Sequence, residues 1–138
     1  SQMHFTELRK IPLCCVLPAG HPLAQNRQIA LDELLTQHLV FCDSYDLPAQ
    51  VVELQHRMAR RIVPEHLHIC ESSQVILSLV RAGYGCSLLP APSMPDPTLV
   101  FLPLKGTTFL PYGMIHSKNA ASPLLKQFLE IALRVARK

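Results

Sequence analysis

SSQVILSLVRAGYGCSLLP, residues 72–90, contains the signals of a helix, a turn and a strand in immediate succession. Ser72 and Ser73 are both residue types that favour a helix N-cap. The apolar residues behind them recur at roughly helical spacing: Val75, Ile76, Leu79 and Val80. Gly83 is placed to end this helix in a left-handed turn, and residues 86–89 then form an apolar run typical of a buried strand.

Similar elements surround this stretch on both sides. Residues 12–17 and 39–42 are continuous apolar runs that predict buried strands, and residues 66–70 predict a third strand just before Ser72. A helical pattern lies between the last two, after Pro48 and before Pro64. The chain therefore alternates strands with helices from its first third onward.

The C-terminal part continues the pattern. Residues 99–102 and 110–115 predict further strands, and Ser122-Pro123 predicts an N-cap with proline at the first position of a final helix. One face of that helix is apolar: Leu124, Leu125, Phe128, Leu129, Ala132 and Val135. Alternating strands and helices indicate the α/β class, with a largely parallel sheet covered by helices on both faces.

Such sheets bind ligands beyond the carboxyl ends of their strands, often at helix N-termini. Two segments meet this description: residues 41–44, after the second strand, and residues 72–74, after the third. Both segments are therefore candidate ligand-binding positions.

Composition excludes several classes of protein. Of the 138 residues 49% are hydrophobic and 17% charged, which indicates one globular domain, and no apolar run is as long as a membrane span. The net charge is +3, and the only cluster of basic residues is Arg57, Arg60 and Arg61, too little for a nucleic-acid surface. With five cysteines, no CxxC spacing and no visible secretory signal, we expect reduced thiols in a cytoplasmic protein.

Two stretches together resemble a known family. PLCCVLPAGHPLA (residues 12–24) is followed by IALDELL (residues 29–35), and residues 72–90 come later at a plausible separation. In this order they resemble the effector domain of LysR-type transcription regulators, over nearly the whole chain. The resemblance implies a fold like that of type 2 periplasmic binding proteins, in which two crossing strands join two α/β lobes.

The resemblance also implies boundaries and partners. Residues 1–11 would end lobe I and cross over, residues 12–107 would form the regulatory lobe II, and residues 108–138 would supply the return strand and C-terminal helix of lobe I. The rest of lobe I and an N-terminal winged helix-turn-helix are expected outside this chain. Any DNA contact would then belong to that absent domain, and the intact protein would be a homo-oligomer away from membranes.

In the family a small metabolite, often an organic acid, occupies the cleft between the lobes. On lobe II the resemblance places Phe41, Cys42 and Asp43 after the second strand and Ser72, Ser73 and Gln74 after the third. Tyr112 or Met114 would face the cleft from lobe I. Phe41 would be an apolar wall, the hydroxyls and amide would donate hydrogen bonds, and Asp43 would repel an anion. Simpler roles stay open: a core position for Phe41, a small buried residue at Cys42, and N-caps at the two serines.

Four alternatives remain. His66, His68 and Cys70 alternate on a predicted strand and so share a face, but such neighbours lie about 7 Å apart, too far for one tetrahedral metal ion without other ligands. A second alternative is a redox sensor, but the sequence offers no obvious cysteine pair for it, since Cys14 and Cys15 point to opposite faces of a strand. An enzyme lacks any nucleophile elbow, phosphate loop or HExxH motif. A periplasmic-type solute-binding protein of the same fold is the main alternative, and no metal or cofactor is expected.

Overall fold

The computed structural model describes residues 2–43, 47–106, 108–118 and 122–137. Ser44, the last residue of the first predicted ligand segment, lies outside them. The strands are β1 (Met3–Pro18), β2 (Leu39–Cys42), β3 (Leu67–Cys70), β4 (Ser87–Pro90), β5 (Leu99–Pro103) and β6 (Phe109–Ser117). The α-helices are α1 (Ala49–Ala59), α2 (Ser73–Arg81) and α3 (Pro123–Ala136), and 3-10 helices cover Pro22–Gln25, Leu31–Leu34 and Pro64–His66.

The chain divides into two compact units, Pro12–Thr108 and the combination of Ser1–Ile11 with Phe109–Lys138. In the described parts of the chain, none of the helices has the length and apolar character needed to cross a bilayer.

The sheet of the larger unit is mixed. β1 pairs antiparallel with β4 on one side and β5 on the other, with Cys15 opposite both Leu88 and Leu102. β2 pairs in parallel with β3, and a parallel bridge between Leu39 and Cys86 links β2 to the start of β4. β2, β3, β4 and β5 thus run in one direction and β1 runs against them.

The prediction of a largely parallel sheet is therefore wrong for β1. The strands that pair with β1, β4 and β5, come from distant parts of the chain, so no local pattern indicates their direction relative to β1. The carboxyl ends of the other strands still lie at one edge of the sheet, as the site prediction requires.

The core is centred on the second half of β1. Residues 13–17 are at most 2% exposed, as expected for a continuous apolar run covered on both faces. Burying each such side chain contributes about 1.5–3 kcal/mol to folding. The strand is longer than predicted, because it begins at Met3, and its first half belongs to the smaller unit.

α2 follows the prediction closely. The Ser72 hydroxyl accepts a hydrogen bond from the Val75 N–H at 3.3 Å, a cap that stabilises a helix by about 1 kcal/mol. Gly83, at φ 85°, ends the helix and donates to the Val80 carbonyl at 2.9 Å. Ile76 and Val80 are fully buried, whereas Val75, predicted on the same apolar face, is 44% exposed.

Two predicted boundaries are shifted near Pro64. α1 ends at Ala59 and does not continue to Pro64, so the buried Ile62 follows the helix. β3 begins at Leu67, because residues 64–66 form a 3-10 helix started by the proline. His66 therefore precedes the strand on which it was predicted.

In the smaller unit, β6 pairs with β1, and the Thr6 hydroxyl lies 2.8 Å from His116 Nε2. α3 begins at Pro123 as predicted, but none of its described residues is buried. Leu124 and Phe128 of its apolar face are 74% and 52% exposed.

Candidate functional site

The two predicted ligand segments meet at the carboxyl ends of β2 and β3. Cys42 stands opposite Cys70 in the parallel register, and the Asp43 N–H donates to the Cys70 carbonyl at 3.4 Å. The Cys70 thiol donates to the carbonyl oxygens of Phe41 at 3.3 Å and Ser72 at 3.4 Å. The backbones of the two segments are therefore tied to each other by hydrogen bonds.

Phe41 and Cys42 face the core. Each is 2% exposed. The Cys42 N–H donates to Oε1 of the buried Gln55 at 3.1 Å, and Gln55 Nε2 donates to the Leu88 carbonyl at 3.3 Å. Phe41 is thus held as a core residue, and it borders a small cavity at the end of β2.

That cavity measures ≈ 30 Å³, about the space one water molecule occupies. Asp43 lies at its rim with its side chain 77% exposed, and its carboxylate is 4.0 Å from Nε2 of His56. The carboxylate therefore points to solvent and does not enter the larger groove described next.

Ser73 and Gln74 line a groove of ≈ 300 Å³ beside the N-terminus of α2. We call it the α2 groove. Its other lining residues are apolar: Leu47, Leu77, Leu89, Pro90, Pro92 and Phe101. Ligand pockets commonly have an apolar lining, a few polar groups and a volume from about 300 Å³ upward. The α2 groove meets that description, and no charged side chain is among its described lining residues.

The structure therefore separates the predicted site residues. Phe41, Cys42 and Asp43 border the small cavity, while Ser73 and Gln74 border the α2 groove. The apolar lining of the groove was missed by the sequence reasoning. Leu77 could have been predicted as a lining residue from the sequence, since it follows Gln74 by three residues and therefore lies on the same helix face. Phe101 could not, because its position depends on the pairing of β5.

Tyr112 lies on β6 in the smaller unit and is 50% exposed. Its ring stands 5.3 Å from the guanidinium carbon of Arg9, within the range of a cation–π contact. The positive charge beside it comes from the strand that pairs with β6.

The alternative metal site has a different arrangement from the predicted one. The ring of His38, a residue outside the predicted set, lies 4.2 Å from that of His66 in a tilted arrangement and 6.0 Å from that of His68 in a stacked one. The Cys70 thiol faces backbone carbonyls instead. Across the described ranges, no group of three or more His, Cys, Asp or Glu residues could hold a metal ion.

The cysteines are all free, and four of the five are buried. Burial raises the pKa of the Cys14 thiol to about 11. The pKa of the Cys15 thiol is also raised, mainly by a hydrogen bond with Cys86 and to a smaller extent by burial. The contact between Cys15 and Cys86 was not predicted, because the two residues come together only through the pairing of β1 with β4. Protonated buried thiols are poor nucleophiles.

His21 lies near Cys86 but cannot activate it. The imidazole Nδ1 accepts a hydrogen bond from the Leu23 N–H at 3.0 Å, so the ring proton is on Nε2. That Nε2 lies 3.2 Å from Gln37 Oε1 and 4.0 Å from the Cys86 sulfur. The nitrogen nearest the thiol is thus a donor and not a base.

The architecture is that of effector-binding domains with a type 2 periplasmic-binding-protein-like fold. The chain superposes on HinK, a LysR family transcriptional regulator from Pseudomonas aeruginosa, with a TM-score of 0.78 at 19% identity, covering 99% of this chain and 48% of that one. It superposes on the effector binding domain of QuiR in complex with shikimate with a TM-score of 0.68 at 22% identity, covering 99% and 66%.

The family model of the LysR substrate binding domain matches residues 1–137, and the chain belongs to that family. It is 30% identical over 87 residues to the transcriptional activator protein LysR of Escherichia coli K12, covering 61% of this chain and 27% of the relative. The chain thus spans about a quarter of that relative's length.

Proposed function

We propose that this chain is the effector-sensing part of a LysR-type transcription regulator and that the α2 groove receives part of the effector. The observation that carries the proposal is the family match together with an open, apolar groove at the N-terminus of α2. Ser73 and Gln74 are the polar groups that would orient the ligand there. Phe41 and Cys42 would support the site from the core, and Asp43 would remain in solvent.

The lining of the α2 groove favours an effector with an apolar body. Its apolar lining residues include Leu47, Leu77 and Phe101, and none of its described lining residues carries a cation that would pair with a carboxylate. A single acid or hydroxyl group would instead be met by the N-terminal N–H groups of α2, whose dipole favours negative charge. Tyr112, beside Arg9, is proposed as a further ligand contact from lobe I.

The remaining parts of the proposal concern the whole protein. Pro12–Thr108 is proposed as lobe II, and Ser1–Ile11 with Phe109–Lys138 as part of lobe I. The intact regulator would bind DNA through an N-terminal winged helix-turn-helix, act as a homo-oligomer and work in the cytoplasm. The regulators among its relatives favour this over a periplasmic-type solute-binding protein. They are named as regulators, and no enzymatic step is proposed.

The ligand part of the proposal is tested with two ring acids bound by solved relatives. BenM has been crystallised with benzoate and QuiR with shikimate. Because the groove is apolar, we expect benzoate to raise the melting temperature of the chain more than shikimate does. Ser73→Ala and Gln74→Ala should reduce the benzoate effect, and Ser93→Ala, an exposed serine that does not line the groove, should leave it unchanged. Equal effects of all three variants would overturn the site.

The regulator part is tested with the intact gene product. It should retard DNA from upstream of its own gene in a gel-shift assay, with an affinity that falls steeply as salt rises. If the protein bound unrelated DNA as tightly as this upstream DNA, the regulator part of the proposal would be contradicted. The result of the ligand test would not be affected.

A further inference from the structure

A second cavity opens elsewhere in the larger unit, between α1 and the 3-10 helix Leu31–Leu34. We call it the arginine cavity. It measures ≈ 200 Å³ and is lined by Leu31, Leu35, Leu54, Arg57, Met58 and Arg61. Leu54 and Met58 are 7% and 3% exposed and form an apolar floor. It shares no lining residue with the α2 groove.

The two arginines at its rim differ in their partners. Arg61 Nη2 lies 3.3 Å from a carboxylate oxygen of Asp32, so its charge is already balanced. Arg57 is exposed and has neither an ion-pair nor a hydrogen-bond partner among the described residues. The rim therefore presents one uncompensated positive charge above an apolar floor.

Basic side chains at the C-terminal end of a helix also interact favourably with the helix dipole. That accounts for arginines near the end of α1 in general, including Arg60 at the C-cap. It does not account for an open apolar cavity beneath Arg57 and Arg61. The combination of cavity, apolar floor and free guanidinium is what a small amphipathic anion requires.

The size of the cavity limits the ligand. An apolar protein cavity of about 150 Å³ is sufficient for benzene, so a single six-membered ring fits a space of this size. Guanidinium groups pair with carboxylates through two parallel hydrogen bonds. Because Asp32 already pairs with Arg61, of the described rim residues only Arg57 is free to pair with a ligand, so the rim accommodates one carboxylate.

We propose that the arginine cavity is a second small-molecule site, which takes a monocarboxylic acid with one apolar ring or a short alkyl chain. The apolar part lies against Leu54 and Met58, and the carboxylate accepts hydrogen bonds from Arg57. The site is independent of the α2 groove, so either can fail without the other.

The test titrates cyclohexanecarboxylate into the 138-residue chain and follows leucine and methionine methyl groups by NMR. We expect saturable shifts at Leu54 and Met58 with a dissociation constant in the millimolar range. Arg57→Gln should weaken binding about three- to fivefold, as expected for a partly exposed ion pair. Cyclohexylmethanol, the neutral analogue, should bind more weakly by a similar factor. Leu35→Trp, which fills the cavity, should abolish the shifts.

Arg60→Gln is the matched control, because Arg60 is exposed on the same helix end but does not line the cavity. It should leave the affinity within about twofold. An equal loss in Arg57→Gln and Arg60→Gln would mean general charge attraction and overturn the proposal. Shifts confined to Leu77 and Leu89 would place the probe in the α2 groove and also overturn it. The absence of saturable shifts up to about 50 mM probe would have the same meaning.

Discussion

Gln55 connects the end of β2 to β4 through one buried side chain. Its Oε1 accepts from the Cys42 N–H at 3.1 Å, and its Nε2 donates to the Leu88 carbonyl at 3.3 Å. The side chain is 1% exposed, so both hydrogen bonds are shielded from bulk solvent. The segment that carries Phe41, Cys42 and Asp43 is therefore held against the sheet by α1.

Gln55→Ala should lower the free energy of unfolding by about 2–4 kcal/mol, because it removes two buried hydrogen bonds and opens a cavity. Urea unfolding measures this difference. Gln50→Ala, at an exposed position of the same helix, is the control and should change stability by less than about 0.5 kcal/mol. Similar values for the two variants would mean that the Gln55 hydrogen bonds are not maintained in solution.

Gly85 is required by a close approach of two backbone segments. A Cβ atom at this position would lie 2.5 Å from the carbonyl oxygen of His38, which accepts a hydrogen bond from the Cys86 N–H at 2.8 Å. Gly85→Ala should therefore cost about 1–3 kcal/mol in stability, measured by urea unfolding. Gly20→Ala is the control, since a Cβ there meets nothing within 4 Å. A Gly85→Ala protein as stable as the Gly20→Ala protein would exclude this tight packing.

The stability of the chain should depend on pH in the acid range because of Asp96. Hydrogen bonds from Thr98 and then from Arg81 lower the pKa of its carboxyl from 3.8 to about 2. Because the folded pKa is depressed, the contribution to stability is present above about pH 3.8 and is lost as the pH falls through about 2. The difference in melting temperature between the wild type and Asp96→Asn should therefore shrink over that interval.

NMR titration of the Asp96 carboxyl checks the cause. Thr98→Val removes the largest contribution and should move the pKa of Asp96 back toward 3.8. Thr36→Val, at an exposed threonine that is not bonded to Asp96, should leave that pKa unchanged. A pKa of Asp96 unaffected by Thr98→Val would contradict the assigned hydrogen bonds.

The cysteines should react unequally with N-ethylmaleimide. Cys70 is half-buried, whereas Cys14, Cys15, Cys42 and Cys86 are buried. With a pKa of about 11, the Cys14 thiol is only about one part in a thousand ionised near pH 8. Mass spectrometry of the native chain should show Cys70 modified first, and Cys70→Ser should remove the fast phase. Fast modification of Cys42 would show that the end of β2 opens.

Local sequence determined much of the fold. The sequence predicted α2 correctly from Ser72, the apolar spacing behind it and Gly83. Capping and a left-handed turn involve only neighbouring residues, so they can be recognised locally. The run at residues 39–42 gave β2 with its observed bounds. The two family stretches, residues 12–35 and 72–90, identified the LysR-type family that the comparisons show.

Long-range pairing decided what the sequence could not. β1 runs antiparallel to β4 and β5, with Cys15 opposite Leu88 and Leu102, and no local signal encodes such a pairing. The same pairing brings Cys86 to Cys15, and the neighbouring parallel strands bring His38 to His66.

The candidate site divides along the same line. That Ser73 and Gln74 follow a strand end could be read from the sequence, since it depends on chain order alone. Their separation from Phe41 and Cys42 could not, because it depends on Gln55 filling the space beside β2 and on Phe101 reaching the α2 groove from β5. Chain order determined which residues stand at the edge of the sheet, and side-chain packing between distant segments decided which of them face open space.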